Sequence, residues 1–306
     1  MNNQLKFKNN ADVNMESQLK VKPGQIFKVP LLNAFGKKFT TVAEFAAFLD
    51  LENEDEKKLL SHPYAGPIEI NSDICNNSVA VHIIDLKAVK GYQCISYSTG
   101  VLKGQFGNRE CAIYEVKEDN SLAFRESDII MRGTPKLGCI TTLSYEKLSF
   151  GRANQNGGNL DINLLDKGST IYLPVNANIA KIIVGDLHIC QGNGEACGIA
   201  VEADGYATLK VDLIDKINFP VIDHKDYLVI TGWGNNTEAS IKRCVENSIF
   251  YLQRVFPFYN WRDGEIYKFI SAEGNITMGN ATGKVITSGV HFYKKRVKNQ
   301  YGFSIF

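Results

Sequence analysis

Between Ile182 and Gly205 the chain reads IIVGDLHICQGNGEACGIAVEADG, an apolar run that ends in an aspartate, a histidine, two glycines and a glutamate. Placed on a strand from Ala180 to Ile189, the side chains of Ala180, Ile182, Val184, Asp186 and His188 share one face by alternation. Both faces are mostly apolar after Lys181, so the strand is expected to be buried on both sides. A carboxylate does not stay ionised in a dry core without a partner. Asp186 and His188 are therefore candidate metal ligands or an acid–base pair at a cleft, since aspartate oxygen and imidazole nitrogen bind zinc at about 2.0–2.2 Å. The rival reading is a satisfied Asp–His hydrogen bond in the interior. The residues beyond His188 favour chemistry. Gly192 and Gly194 allow a tight reversal at positive φ that leaves backbone N–H groups exposed. Glu195 is then expected at the start of the next strand, beside the end of the first, where a glutamate next to a metal-activated water acts as general base.

A second glycine-rich segment, QNGGNLD, has the same character. Gly157 and Gly158 permit close backbone approach. Asn159 and Asp161 alternate onto one face, an amide and a carboxylate suited to fixing a small polar substrate or a ligand side chain. Alone, the segment reads equally as a glycine turn with an Asx hydrogen bond. His62 precedes a proline in the extended segment HPYAGPIEI and is one of only five histidines. His82 and His291 fall in apolar strand patterns and His224 in a loop. Cys190 and Cys197 flank the glycine turn and would be nucleophiles if His188 activated them, although buried inert cysteine is the commoner state. No GxSxG elbow, P-loop or GxGxxG after a strand occurs.

These residues need a scaffold, and the patterning describes one. LKVKPGQIFKVPLL reads as a turn and strand, TTVAEFAAFLD and DEKKLLSH as short helices. Short β-rich segments follow from Ile68 to about Leu148. Ser169–Val175 forms a strand, and strands recur at ATLKVDLI and KDYLVITGWG. In TEASIKRCVENSIFYLQRVF, Ile241, Cys244, Val245, Ile249, Leu252, Val255 and Phe256 make an amphipathic stripe, which Pro257 stops. A last helix is expected from about Arg262 to Ser271 with Ile266, Phe269 and Ile270 inward. The fold class is α+β, mainly β: a sandwich or barrel-like body with C-terminal helices. Two subdomains are expected, residues 1–147, and residues 148–306 with the glycine motifs.

The 306 residues are 44% hydrophobic and carry a formal net charge of +1, which offers no concentrated basic surface for nucleic acid or an anionic membrane. The polar N-terminus and the lack of a long apolar run predict a soluble, cytoplasmic chain. Seven cysteines, scattered and odd in number, suggest no disulfide framework.

GGNLDINLLDKGSTIYLPV followed by VGDLHICQGNGEACGIAVE closely resembles the acetamidase/formamidase family, whose pattern runs GGNMD, a strand ending LPV, then GD-x-H-x-x-QGDGE-x-CG and a terminal Glu. LKVKPGQIF, HPYAGPIEI and DGEIYKFISAEGNI are similar to that family's flanking segments. Asn193 replaces the aspartate of QGDGE, and the middle of the chain departs from the family's text. The resemblance implies a homo-oligomeric hydrolase that cleaves formamide or acetamide with a metal in its site. By position it implicates His62, Asn159, Asp161, Asp186, His188 and Glu195. The roles expected here are Glu195 as catalytic base; Asp186, His188 and a third donor, His62 or Asp161, as ligands of a divalent ion, zinc with calcium as the alternative; and Asn159, Asp161, Gly192 and Gly194 as substrate-binding groups. The rival functions are hydrolysis of a larger amide or carbamoyl compound, and non-catalytic binding of a metal or small ligand.

Overall fold

The computed structural model describes residues 10–50, 62–71, 77–95, 99–106, 110–124 and 128–296. The helix expected over DEKKLLSH lies outside them apart from His62. The architecture is α+β and mainly β. A 14-stranded sheet dominates, in which strand Ala180–Cys190 pairs with three others. On one side this strand pairs antiparallel with Lys136–Thr142 along most of its length. On the other it has two partners in succession: Tyr64–Ile70 up to Gly185, then Val201–Asp215 from Leu187 onward. Asp186 sits at the fork between them. The sheet runs continuously across residues 147 and 148, because Val201–Asp215 also pairs along almost all of Asn77–Cys94.

Strand Ala180–Cys190 is buried from Ala180 to Ile189, as β-branched residues on both faces require. Its alternation, however, changes phase. The main core takes Ala180, Ile182 and Val184 before Asp186, and Leu187 and Ile189 after it. The neighbouring strand Lys136–Thr142, paired in unbroken register, changes phase at the same level, with Leu137 and Ile140 in the main core and Cys139 in a separate cluster with Ile183, Tyr64 and Phe150. The expectation that Asp186 and His188 share the face of Ile182 and Val184 is thus corrected. Asp186 takes a left-handed φ of 61°, and that inversion turns the pair away from the main core.

The helices pack on the far end of the sheet. Thr237–Val255 is capped by Asn236, whose side chain accepts from the Ala239 N–H, and it packs with Asp263–Glu273 on strands Tyr227–Gly234 and Ile286–Tyr293. Its buried line is Ser240, Cys244, Ser248 and Leu252, with Val255 exposed, so the inward face includes two serines that the apolar stripe did not predict. Both hydroxyls are satisfied: Ser240 pairs with Ser288 at 2.8 Å, and Ser248 donates to the Cys244 carbonyl at 2.7 Å. In Asp263–Glu273, Ile266 and Ile270 are buried and Phe269 packs at the margin of their cluster. The early helix is Val42–Leu49, capped by Thr41.

Candidate active site and metal centre

The fork beside Asp186 opens into a cleft of about 590 Å³ whose lining includes His62, Asn159, Asp161, Asp186, His188, Glu195, Glu202 and Asn280. Three other hollows, beside Tyr259 and Trp261, beside Ile241 and Tyr267, and beside Phe219 and Tyr251, have no buried acid or imidazole among their lining residues. His188 is the hub. Its Nε2 lies 3.2 Å from Asp186 Oδ1 and 3.3 Å from Glu202 Oε2, and its Nδ1 lies 3.8 Å from Glu195 Oε1.

The backbone is shaped to make this convergence. Six non-glycine residues among those described have positive φ, and four of them are His62 (53°), Asp161 (51°), Asp186 (61°) and Glu195 (46°). Residues held in that region concentrate at functional sites, because the surroundings must enforce them. Glu195 does not begin a strand as expected. It closes a turn in which its N–H donates to the Gly192 carbonyl, and the next strand starts only at Val201. Gln191 steadies that turn, donating to Glu195 Oε1 at 3.3 Å and to the Asp161 carbonyl at 3.2 Å.

Asp161 is gripped at one oxygen only. Asn159 Nδ2 and Asn280 Nδ2 donate to its Oδ2 at 2.7 and 2.8 Å, while Oδ1 has no hydrogen-bond partner. Asn159 is otherwise spent, accepting the Cys139 thiol at 2.6 Å. The two turn glycines stand apart from the cleft lining. The Gly194 N–H is committed to the Met278 carbonyl, which ties the Glu195 turn to the 278–281 segment. The thiol alternative finds no support in the geometry: both His188 nitrogens face carboxylates, burial raises the Cys190 thiol, and the Cys197 thiol donates to the Ile199 carbonyl. His82 and His224 sit elsewhere, against Asp212 and Asp166.

Charge makes the cluster unstable by itself. Asp161, Asp186, Glu195 and Glu202 are all buried, and His188 is the one imidazole buried with them. Burial, then the Asp186 charge, pushes the Asp161 carboxyl up to about 7. Burial and then Asp161 raise Glu195 well above the usual range, and burial raises Glu202. Burial also opposes the charge on Asp186, but the His188 imidazolium outweighs it and holds that carboxyl low. Burial likewise disfavours protonated His188, and Glu202 with Asp186 overcome it. Like charges this close are tolerated when protons or a cation divide them.

The donor set fits a divalent cation. Asp161 Oδ1, Asp186 Oδ1, Glu202 Oε2 and His188 Nδ1 are buried without hydrogen-bond partners. Three groups place their ligand atoms within 4.8 Å of one another: Asp161 with Asp186 and His188; His188 with Glu195 and Glu202; and His62 with Cys139 and Asp186. Gly138 leaves the space between them open: a Cβ there would lie 2.5 Å from Asp186 Oδ2, 2.6 Å from Asp161 Oδ1 and 2.8 Å from His188 Cε1. Carboxylate oxygen with imidazole suits zinc, manganese and the harder ions.

Sequence reasoning missed Cys139, Asn280 and any role for Glu202. Cys139 reads as a small core residue in an apolar strand. Glu202 ends the motif, yet only the folded pairing of His188 with Glu202 shows that they meet. Asn280 lies far along the chain, and no spacing announces it.

Residues 149–278 match the sequence pattern of the Acetamidase/Formamidase family. A 113-residue stretch is 39% identical to a formamidase of Methylophilus methylotrophus, covering 32% of this chain and 27% of that protein. A 62-residue stretch is 47% identical to an acetamidase of Mycolicibacterium smegmatis, covering 20% and 15%. The chain thus aligns with less than a third of the length of these curated relatives. The solved acetamidase of Bacillus halodurans superposes with a TM-score of 0.84 at 19% identity, over 94% of this chain and 95% of that one. An acetamidase from Yersinia enterocolitica gives 0.84 at 22%, over 96% and 90%. At such identities the likeness is one of fold. Residues 149–278, which carry Asn159, Asp161, Asp186, His188, Glu195 and Glu202, are similar to the acetamidase/formamidase family, and the chain shares the fold of the solved acetamidases.

Proposed function

We propose that the protein is an amidohydrolase that cleaves a linear amide to a carboxylate and ammonia. The observation that carries this is the convergence of four buried carboxylates on His188 in one open cleft, with buried acceptor atoms that receive no hydrogen bond. The formamidase and acetamidase relatives support the choice of amide chemistry.

Asp186, His188 and a third donor, Asp161 or His62, would hold a divalent cation, with zinc as our assignment. When bound, such an ion polarises the amide carbonyl and makes water acidic enough to be deprotonated near neutrality. Glu195 takes the proton of the attacking water. A raised affinity for protons suits it to keep that proton and deliver it to the departing nitrogen. The water oxygen bonds to the carbonyl carbon, the C–N bond breaks, and the nitrogen leaves as ammonia because Glu195 has protonated it. Gln191 aims the Glu195 carboxylate, and Asn159 with Asn280 keeps Asp161 oriented. We assign the protein as a cytoplasmic homo-oligomer. No helix among the described residues is long and apolar enough to cross a membrane.

The test is Glu195→Gln, scored by ammonia release from formamide and acetamide and by elemental analysis. The expected result is a loss of turnover of at least about 10²-fold with metal content retained. Ammonia release at the wild-type rate would remove Glu195 from the mechanism. A wild-type protein that holds metal and hydrolyses no amide would favour a non-catalytic binder.

A further inference from the structure

The cleft is built for more than the smallest amides. Its volume of about 590 Å³ lies inside the range of about 300–1,000 Å³ that holds drug-sized ligands, far beyond what formamide or acetamide fills. Charge is also sorted along it. The four carboxylates and His188 form a buried floor, whereas Arg152 and Lys284 line the same cleft and are solvent-exposed. Neither cation has an ion pair or a side-chain hydrogen bond among the described residues. Phe35 and Ile199, both half-buried, supply an apolar wall to the same cleft.

An exposed cation is ordinary on an open surface, but these two stand on backbone locked to the floor. Arg152 follows Gly151, where a Cβ would lie 2.9 Å from His62 Nδ1, and its carbonyl packs against Gly158. Lys284 lies in the segment shaped by Asn280, whose Oδ1 accepts from the Thr282 and Gly283 N–H groups at 2.9 and 2.7 Å. The amide of that same asparagine donates to Asp161 at 2.8 Å. Lys284 is thus tied through Asn280 to Asp161 of the floor, and Arg152 stands beside His62 and Gly158 at the floor's edge.

We propose that the substrate is a primary amide on a short carbon chain whose far end is anionic, the monoamide of a dicarboxylic acid. The amide lies at Asp186, His188 and Glu195, the chain runs along Phe35 and Ile199, and the carboxylate meets Arg152 and Lys284. This rests on the amide-hydrolysing reading of the floor. The spacer is required because a carboxylate carried down to the floor would face four acids. Arg152 supplies planar bidentate recognition of a carboxylate and Lys284 a point charge.

The experiment compares kcat/KM of the metal-loaded full chain for succinamate against butyramide, and for glutaramate against valeramide, pairs of equal chain length that carry a terminal carboxylate or a methyl. Binding of succinate is measured in parallel by calorimetry. The expected result is a preference of about tenfold or more for each anionic amide, narrowing as salt rises, because exposed charges are screened within about 8 Å at physiological ionic strength. In the Arg152→Gln/Lys284→Gln double variant that ratio should fall towards one, and succinate binding should weaken about tenfold. If both amides of a pair are hydrolysed equally well, or the double variant leaves the ratio unchanged, the inference is overturned while amide hydrolysis stands. If no amide is cleaved but succinate binding depends on the two cations, the hydrolytic reading fails and the rim site survives. Succinate binding indifferent to both substitutions would remove the rim site.

Discussion

Gly138 offers the sharpest perturbation of the site, because it alters no functional group. The added methyl of Gly138→Ala would sit 2.5, 2.6 and 2.8 Å from Asp186 Oδ2, Asp161 Oδ1 and His188 Cε1. To restore an ordinary contact of 3.4 Å, each atom must retreat by about 0.6–0.9 Å. None can swing into solvent, since all three residues are at most 2% exposed. Overpacking of this kind costs about 1–3 kcal/mol. The site should lose more than the fold does. Ligand distances tolerate only about ±0.2 Å, and a displacement of about 1 Å in a reacting geometry can cost on the order of 10²-fold in rate. The expected outcome is a modest fall in melting temperature, substoichiometric metal after dialysis, and ammonia release reduced by about 10²-fold or more. The comparison is Gly192→Ala, where a Cβ meets nothing within 4 Å and stability should stay within about 0.5 kcal/mol. Full metal content and wild-type turnover in Gly138→Ala would show that the space between Asp161, Asp186 and His188 is not where the cation lies.

Chelation should lower the melting temperature and readdition of metal should restore it, because a ligand bound to the folded state at 100 times its Kd contributes about 2.7 kcal/mol. A melting curve indifferent to both would leave protons as the only partners of the four acids. Away from the site, burial and then His224 depress His291 from 6.5 to about 4. It is neutral when folded, with Thr277 at its Nε2. The unfolded chain therefore binds the extra proton between about pH 6.5 and 4, so stability falls with falling pH across that window, by up to about 3 kcal/mol. His291→Gln should flatten that part of the acid-unfolding profile, measured by denaturant titration at fixed pH values. An unchanged slope would show that His291 keeps its ordinary pKa.

The elements that position the site were readable where local chemistry decides them. The apolar run of strand Ala180–Cys190, the Asn236-capped helix and the glycine turns all follow from residue type and period. Alternation brought Asp186 and His188 together, yet on the wrong face, because a left-handed aspartate inside a strand leaves no mark in the periodicity. The forked sheet was equally hidden, since it depends on two strands, Tyr64–Ile70 and Val201–Asp215, sharing one edge of a third. The displaced helix face has a related cause. Ser240 and Ser248 enter the core because Ser288 and the Cys244 carbonyl satisfy them there, and such partners are tertiary facts. Cys139 and Asn280 were invisible for the same reason.

The left-handed residues bear on how the site works. Asp and His adopt that region at modest cost, but Glu195 does so only when the surroundings compel it. The compelling contacts are visible: His62 donates its N–H to the Ala34 carbonyl, Asp161 to Gly138, and Glu195 to Gly192. Each of these bonds also fixes where a side chain points, so the backbone strain and the convergence on His188 have one origin. Groups held in place before the substrate arrives need no reorganisation when charge develops, and this is the condition under which buried charges accelerate a reaction. The same rigidity explains why the acids stay together despite mutual repulsion. Their backbones are anchored by hydrogen bonds independent of the carboxylates, so repulsion is relieved by capturing protons or a cation and not by moving apart.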